Sequence, residues 1–382
     1  MLRAVALIAQ SLLLALAGYN AVTALWGWPE RPPALKGPRL RNLRVVVPAH
    51  DEARVIAGIL TDLAQADYPG DRMEVWVIDD RSSDHTAEVA TGHGANVARR
   101  QVGPAGKGAA LAWYLGQHPL GPNESLVVFD ADNRIGPDVL ARISDELDAG
   151  HDAVQCYLDV VDPDTSLIAE ASALSYWAGN RMVQLARSNL GWSADLGGTG
   201  MALTANVLEQ VGGFGESLTE DQELGARIVL AGHRVEWLHD VKVRDEKPTS
   251  VTVAVRQRAR WMSGKRAARR SHLGDLVRMG SPVALDQAVR LVQPGRMFIA
   301  LVSGVLTGLS AILGSGWLLP WPVWGAATAV QVLEPIPFLA RDGVPARSLL
   351  RYPVLVVLAA LWIPIRALSR KADDWYHTPH GE

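Results

Sequence analysis

Apolar and polar residues alternate in blocks through the middle of this chain. "LRVVVPAH" (43–50) is a β-branched run that stops at a proline. "DEARVIAGILTDLAQADYPG" follows, with apolar residues at 55, 56, 59, 60 and 63, the spacing of a helical stripe. The same alternation continues with "MEVWVIDD" as a strand, "RSSDHTAEVATGHG" as a helix, "ANVARR" as a short strand and "GKGAALAWYLGQH" as a helix. "SLVVFDADN", "GPDVLARISDELDAG" and "HDAVQCYLDV" then read as strand, helix and strand. Continuous apolar strands between amphipathic helices predict an α/β fold with a mostly parallel sheet covered on both faces. Ligands of such sheets bind beyond the carboxyl ends of the strands. Here those ends read "PAHDE", "DDRSSD" and "DADN", so three strands deliver acids to one edge.

The ends of the chain follow a different pattern. No charge occurs from Ala4 to Trp28, long enough for a helix to cross a bilayer. A retained anchor is expected rather than a cleaved signal peptide, because no small-residue cleavage site follows. None occurs between Arg296 and Glu334 either, which gives room for two spans joined by "GSGWLLPWP", with Trp317, Trp321 and Trp324 as an interfacial belt. Tyr352–Ile365 is short for a span and is expected to cross or to lie in the interface. Glu334, within an apolar stretch, either serves a function or marks the end of a span. Arg31, Lys36, Arg39, Arg41 and Arg44 follow the first span and only Arg3 precedes it, which places the body in the cytoplasm by the positive-inside rule. The basic residues around the last run do not obey that rule as clearly.

Composition adds exclusions. The 382 residues suffice for about two domains. A net charge of −3 offers no cationic field for nucleic acid. The one cysteine, Cys156, rules out an internal disulfide or a cysteine-built zinc site, and the ten histidines show no zinc-ligand spacing. Asp130 and Asp132, read as alternate residues of an extended segment, should point the same way and make a hard-oxygen site for Mg²⁺ or Mn²⁺. Lys107, at a glycine-flanked helix start, suits phosphate. Asp221 lies at the start of "DQELGARIVLAGH", where a helix dipole keeps a carboxylate ionised; plain N-capping by Thr219 is the structural alternative. "RQRARWMSGKRAARR" (256–270) also suits an anionic lipid surface.

"VVVPAHDE", "VIDDRSSD", "KGAAL", "VVFDADN", "GGTGMALT", "TEDQELGARI" and "QRARW" stand in an order and spacing that resembles family 2 glycosyltransferases of the GT-A fold. The group in question is that of the membrane-embedded chitin-oligosaccharide, hyaluronan, poly-N-acetylglucosamine and cellulose synthases. The resemblance implies a nucleotide-sugar-binding, Rossmann-like cytoplasmic domain with transmembrane helices at both ends. Taken with the charge-free runs and the Pro-rich stretch, it divides the chain into an anchor (1–28), a basic Pro-rich linker (29–42), a GT-A domain (43–261), a basic interface segment (262–296), two to three transmembrane or interfacial helices (297–368) and a tail (369–382).

It also implies roles for residues. Pro48, His50, Glu52 and Asp80 would line the nucleotide pocket, with Lys107 close to the nucleotide. Asp130 would contact the sugar nucleotide and Asp132 would hold the metal. Gly198, Thr199, Gly200 and Glu220 would lie near the acceptor, and Asp221 would be the general base. Gln257, Arg258, Arg260 and Trp261 would close the site, Arg260 toward the diphosphate and Trp261 under the acceptor sugar. The expected activity is metal-dependent, inverting transfer from a UDP-sugar to a growing β-linked glycan. The alternatives are transfer of one sugar to a diacylglycerol or polyprenyl-phosphate acceptor, and a silent nucleotide-sugar-binding subunit. The absence of a gating segment after Trp261 and the small number of C-terminal spans count against extrusion of a long polymer.

Overall fold

In the computed structural model, the structure describes residues 2–215, 220–247, 250–314 and 316–358. Thr219, the end of the run 352–365 and the tail 369–382 lie outside the described residues. One sheet organises the body. Its strands are β1 (Asn42–Ala49), β2 (Met73–Asp80), β3 (Asn96–Arg100), β4 (Glu124–Val128), β5 (Arg134–Ile135), β6 (Ala153–Val160), β7 (Met201–Thr204) and β8 (Val235–Asp245). They lie in the order β3-β2-β1-β4-β7-β6-β8-β5. The first four are parallel, as are β6 and β8; β7 runs antiparallel between β4 and β6, and β5 antiparallel on β8.

Strand alternation sorts the core into two layers. Val45 and Val47 of β1 and Val127 of β4 face a cluster with Ile56, Ile59, Leu63, Leu140 and Ile143. Val46, Leu126 and Val128 face the other layer, with Leu111, Tyr114, Leu224 and Ile228. Both faces are therefore dry, as the apolar runs require. The stretch 29–41 forms no regular element but is docked: Gly37 donates its N–H to Asp145 at 2.7 Å, and Arg41 pairs with Asp148 at 3.0 Å.

Three helical stretches are long and apolar enough to cross a membrane: Leu2–Gly27, Arg296–Leu313 and Trp321–Arg341. They present Leu2, Val5, Ile8, Leu12, Val305, Leu309 and Ile312 outward, a surface suited to lipid. The side-chain amide of Gln10 bonds both the Trp317 carbonyl (3.0 Å) and the Leu319 N–H (2.9 Å), so this part of the first stretch lies level with residues 317–319. At the other end Arg296 pairs with Glu334 at 2.7 Å and donates to the Asn20 carbonyl at 3.0 Å. The two charges that bound the apolar run thus neutralise each other. Trp324 departs from the expected belt: it is fully buried, whereas Trp317 and Trp321 are exposed. It falls on the side of its helix turned into the bundle, where a large ring fills volume instead of meeting head groups.

Candidate active site

At the carboxyl edge of the sheet, β4 stops at Val128 opposite Val46, while β1 runs on to Ala49. Pro48, which has no N–H to give, occupies the part of β1 whose β4 neighbour has already left. The loops after β1 and β2 are laced together. Asp51, at φ +56°, accepts from the Ser83 N–H at 2.6 Å, and the Glu52 N–H donates to Thr86 Oγ1 at 2.8 Å. His50 Nδ1 lies 2.6 Å from the Asp80 carbonyl. Asp80 is buried and held by Arg100 (2.7 Å) and Arg81 (3.0 Å). Pro48, His50, Glu52 and Asp80 therefore share one edge.

The "DADN" segment differs from the expectation of an extended strand end. It is a turn: the Asn133 N–H returns to the Asp130 carbonyl at 3.2 Å, and Asn133 Oδ1 accepts from the Asp130 N–H at 3.0 Å. The alternation that would align Asp130 with Asp132 therefore does not apply. The asparagine closes the turn because its short amide side chain can cap the backbone locally. Thr199 donates its hydroxyl to the same Asn133 oxygen, and Thr199 Oγ1 lies 3.0 Å from the Asp130 N–H, which it accepts. Gln155 completes the clamp, giving its amide to the Thr199 carbonyl (2.8 Å) and accepting from the Gly197 N–H (2.8 Å).

Lys107 opens the helix Lys107–Gln117 and joins two parts of the site. It pairs with Asp130 and donates to the Gly198 carbonyl at 2.8 Å. Gly198 has φ +80°, which a side chain would strain. A Cβ placed there would lie 3.7 Å from Asp221 Oδ2, 3.9 Å from Glu220 Oε1 and 4.0 Å from Lys107 Nζ. Two acids and one amine thus converge on a single backbone position.

Glu220 and Asp221 begin the helix Glu220–Leu230, and Asp221 Oδ1 accepts the Gln222 N–H at 2.7 Å. Burial raises the affinity of both carboxyls for a proton; Asp221 adds to this at Glu220, while Lys107 opposes it at both. Glu220 is pushed up to about 7 and Asp221 to about 6.

Gln257, Arg258, Arg260 and Trp261 lie on the helix Val251–Met279, which runs unbroken across 261–262. That helix packs on Glu220–Leu230 and Pro282–Val292 through Ala226, Val229, Ala268, Leu276, Ala284 and Leu291. Those contacts lie at Ala268 and Leu276, two to four turns beyond the motif on the same helix. Trp261 is 37% exposed, unusual for an indole in a soluble core and open to a ligand. Asn133, Gln155, Asp195 and Asp245 belong to this neighbourhood but were assigned no role from sequence. Asp245, at the end of β8, is held by Lys247 at 2.5 Å, and Lys247 lies 3.7 Å over the Tyr176 ring.

As a metal site, the turn offers the hard oxygens of Asp130 and Asp132. Among the described residues no three His, Cys, Asp or Glu side chains gather round one point. That donor set fits Mg²⁺ or Mn²⁺, which take one or two protein carboxylates and leave the remainder to phosphate and water.

A mostly parallel sheet with acids at its carboxyl edge, closed by a Gly-rich loop and an acid-tipped helix, is the GT-A arrangement of nucleotide-sugar transferases. The family described as "Glycosyltransferase like family 2" matches residues 38–264, and the chain belongs to it. It is 26% identical over 363 residues to a beta-monoglucosyldiacylglycerol synthase of Trichormus variabilis, a match covering 90% of this chain and 74% of that protein. It is 29% identical over 255 residues to the synthase of the same description from Synechocystis, covering 62% of this chain and 51% of that one. The chain thus spans about half to three quarters of these relatives' lengths. Its fold is similar to that of mannosyltransferase PcManGT from Pyrobaculum calidifontis, solved in complex with GDP-Man and Mn²⁺, with TM-score 0.62, 22% identity and coverage of 95% and 99% of the two chains.

Proposed function

We propose that the chain is a membrane-bound, inverting, metal-dependent transferase that moves one sugar from a UDP-sugar to a lipid acceptor. The observation that carries it is the meeting of Asp221, Glu220 and Lys107 at Gly198, beside the Asp130 turn. The lipid acceptor is supported by the three apolar helices attached to the body and by the names of the glucosyldiacylglycerol synthases it resembles. These favour a glycolipid over the growing glycan that the motifs alone suggested. The body faces the cytoplasm in this reading, on the side of Asn20, Arg296 and Glu334.

Inverting transfer needs a base on the acceptor, stabilisation of the leaving group and an aligned acceptor. Asp221 Oδ2 takes the proton of the acceptor hydroxyl as its oxygen bonds the anomeric carbon. The bond from that carbon to the diphosphate breaks, and the electron pair leaves with the diphosphate. Asp132, with Asp130, would hold Mg²⁺ or Mn²⁺, which when bound neutralises diphosphate charge. Lys107 moves from Asp130 toward the donor phosphates, and Arg260 adds a second cation there. Pro48, His50, Glu52 and Asp80 receive the nucleotide. Gly198, Thr199, Gly200, Glu220, Gln257 and Trp261 shape the acceptor side.

The test is the product. Membranes holding the chain are given diacylglycerol, Mn²⁺ and a panel of UDP-sugars plus GDP-mannose, and lipids are read by mass spectrometry. One hexose on the lipid, with the opposite anomeric configuration from the donor by NMR, is expected. Oligosaccharide ladders without glycolipid would contradict the reading.

A further inference from the structure

Beneath the loop that carries Gly198, cations outnumber the acids they pair with. Arg187, fully buried, bonds Asp286 at 2.9 Å. Arg290, also buried, lies 2.8 Å from Asp195 and 3.5 Å from Asp286. Asp286 accepts in addition from Tyr19 of the first apolar helix. Lys265 stands within electrostatic reach of Asp195, Arg290 and Arg187, yet its hydrogen bond goes to an uncharged acceptor, the Gln293 carbonyl, at 3.0 Å. Three cations therefore share two carboxylates. Arg290 Nε and Nη1 are buried without a hydrogen-bond partner. Its Nη2 donates to Gln287, and each buried donor left without a partner is costly. Burial lowers the proton affinity of Lys265, and Arg290 and Arg187 lower it further against the opposing pull of Asp195.

The place of this cluster indicates what would relieve it. Asp195 leads into Gly197–Gly200, and its charge is felt at Asp221. Arg290 lies on the helix Pro282–Val292, just before the apolar helix Arg296–Leu313, and Tyr19 belongs to the other apolar stretch beside it. An anion seated here has the acid-lined site on one side and an apolar bundle on the other. We propose that Arg290 and Lys265 seat the phosphate of an amphiphilic acceptor lipid, next to the hydroxyl presented to Asp221. The bidentate, always-charged guanidinium suits a phosphate, and the lysine adds a point charge. This deepens the reading of the chain as a lipid-directed transferase and rests on it for the tail.

The probes are phosphatidic acid, the matching diacylglycerol and inorganic phosphate, each added at equal concentration to the full chain in neutral detergent micelles. Thermal unfolding is the readout. Phosphatidic acid should raise Tm clearly more than diacylglycerol does, and inorganic phosphate should not raise it. Lys265→Gln should keep or raise the lipid-free Tm, because a buried charge is removed while a donor remains. It should at least halve the phosphatidic-acid shift and leave UDP–Mn²⁺ binding unchanged. Arg290→Gln should abolish the excess over diacylglycerol. Equal shifts from phosphatidic acid and diacylglycerol, or an inorganic-phosphate shift as large as the lipid's, would overturn the seat. So would a Lys265→Gln protein with lowered lipid-free Tm and a full lipid shift, since Lys265 would then be only a structural donor. Glycosylation of diacylglycerol without any anion effect would remove the seat and leave the proposed function. The anion effect without glycosylation of any lipid would do the reverse.

Discussion

Gly108 sets how closely the helix that begins with Lys107 approaches the one that begins with Glu220 and Asp221. It is the second residue of the helix Lys107–Gln117, and a methyl group on it would lie 2.5 Å from the Gly215 carbonyl oxygen and 2.7 Å from Glu220 Cβ. Ordinary contact begins near 3.4 Å, so in Gly108→Ala the two elements must separate by about 0.7–0.9 Å. The part that yields carries Glu220 and Asp221 away from Gly198. Overpacking of this kind costs about 1–3 kcal/mol, and the helix gains back up to about 1 kcal/mol from alanine. The net loss is about 0–3 kcal/mol, a Tm fall of about a few degrees. A displacement near 1 Å costs transfer on the order of 10²-fold. Activity should therefore fall far more than stability. Gly116→Ala in the same helix is the control, because its added methyl meets nothing within 4 Å. It should keep full activity and be as stable as wild type or slightly more so. UDP release with lipid acceptor, thermal unfolding and UDP–Mn²⁺ binding are measured on both. Full transfer in Gly108→Ala, or equal losses in the two variants, would refute the reasoning.

Other outcomes follow from the same geometry. Asp132→Asn should abolish Mn²⁺- or Mg²⁺-dependent turnover and weaken UDP binding only when metal is present; wild-type turnover that survives a chelator would contradict this. Because Asp221 is raised to about 6 and must be ionised to take a proton, kcat/KM should fall as pH drops through about 6–7. In Lys107→Met, residual activity should show that fall at higher pH, since the cation that favours both carboxylates is gone; a shift to lower pH would count against it. Trp261→Ala should retain membrane insertion and UDP binding while transfer collapses and slow donor hydrolysis survives. Reduced yield with normal specific activity would instead make Trp261 an interfacial anchor.

The sequence displayed most of the parallel strands openly. In β1, β2, β4 and β6, β-branched or apolar runs are buried on both faces, and such runs need no partner to be recognised. It concealed β5, β7 and β8. β5 has two residues, β7 has four inside a glycine-rich motif, and β8 mixes buried Val235, Trp237 and Val243 with exposed Lys242 and Arg244. Their pairing is set by contacts distant in sequence. The candidate site was legible where chemistry and position coincide, at Asp130, Lys107 and Asp221, whose side chains come together in the fold. Asn133, Gln155 and Asp195 were not, because an amide or acid that clamps a loop carries no spacing signal. The alignment of Asp130 with Asp132 failed for a local reason: Asn133 folds the segment back on itself.

Asp221→Asn tests the central claim most directly. Asparagine keeps the shape and can still accept the Gln222 N–H, but it cannot take the acceptor's proton. Equilibrium UDP–Mn²⁺ binding and single-turnover transfer to lipid are measured on the same preparation. The account predicts nearly unchanged binding and a transfer rate lower by a factor on the order of 10²–10⁴. Joint loss of binding and transfer, or transfer at the wild-type rate, would contradict it.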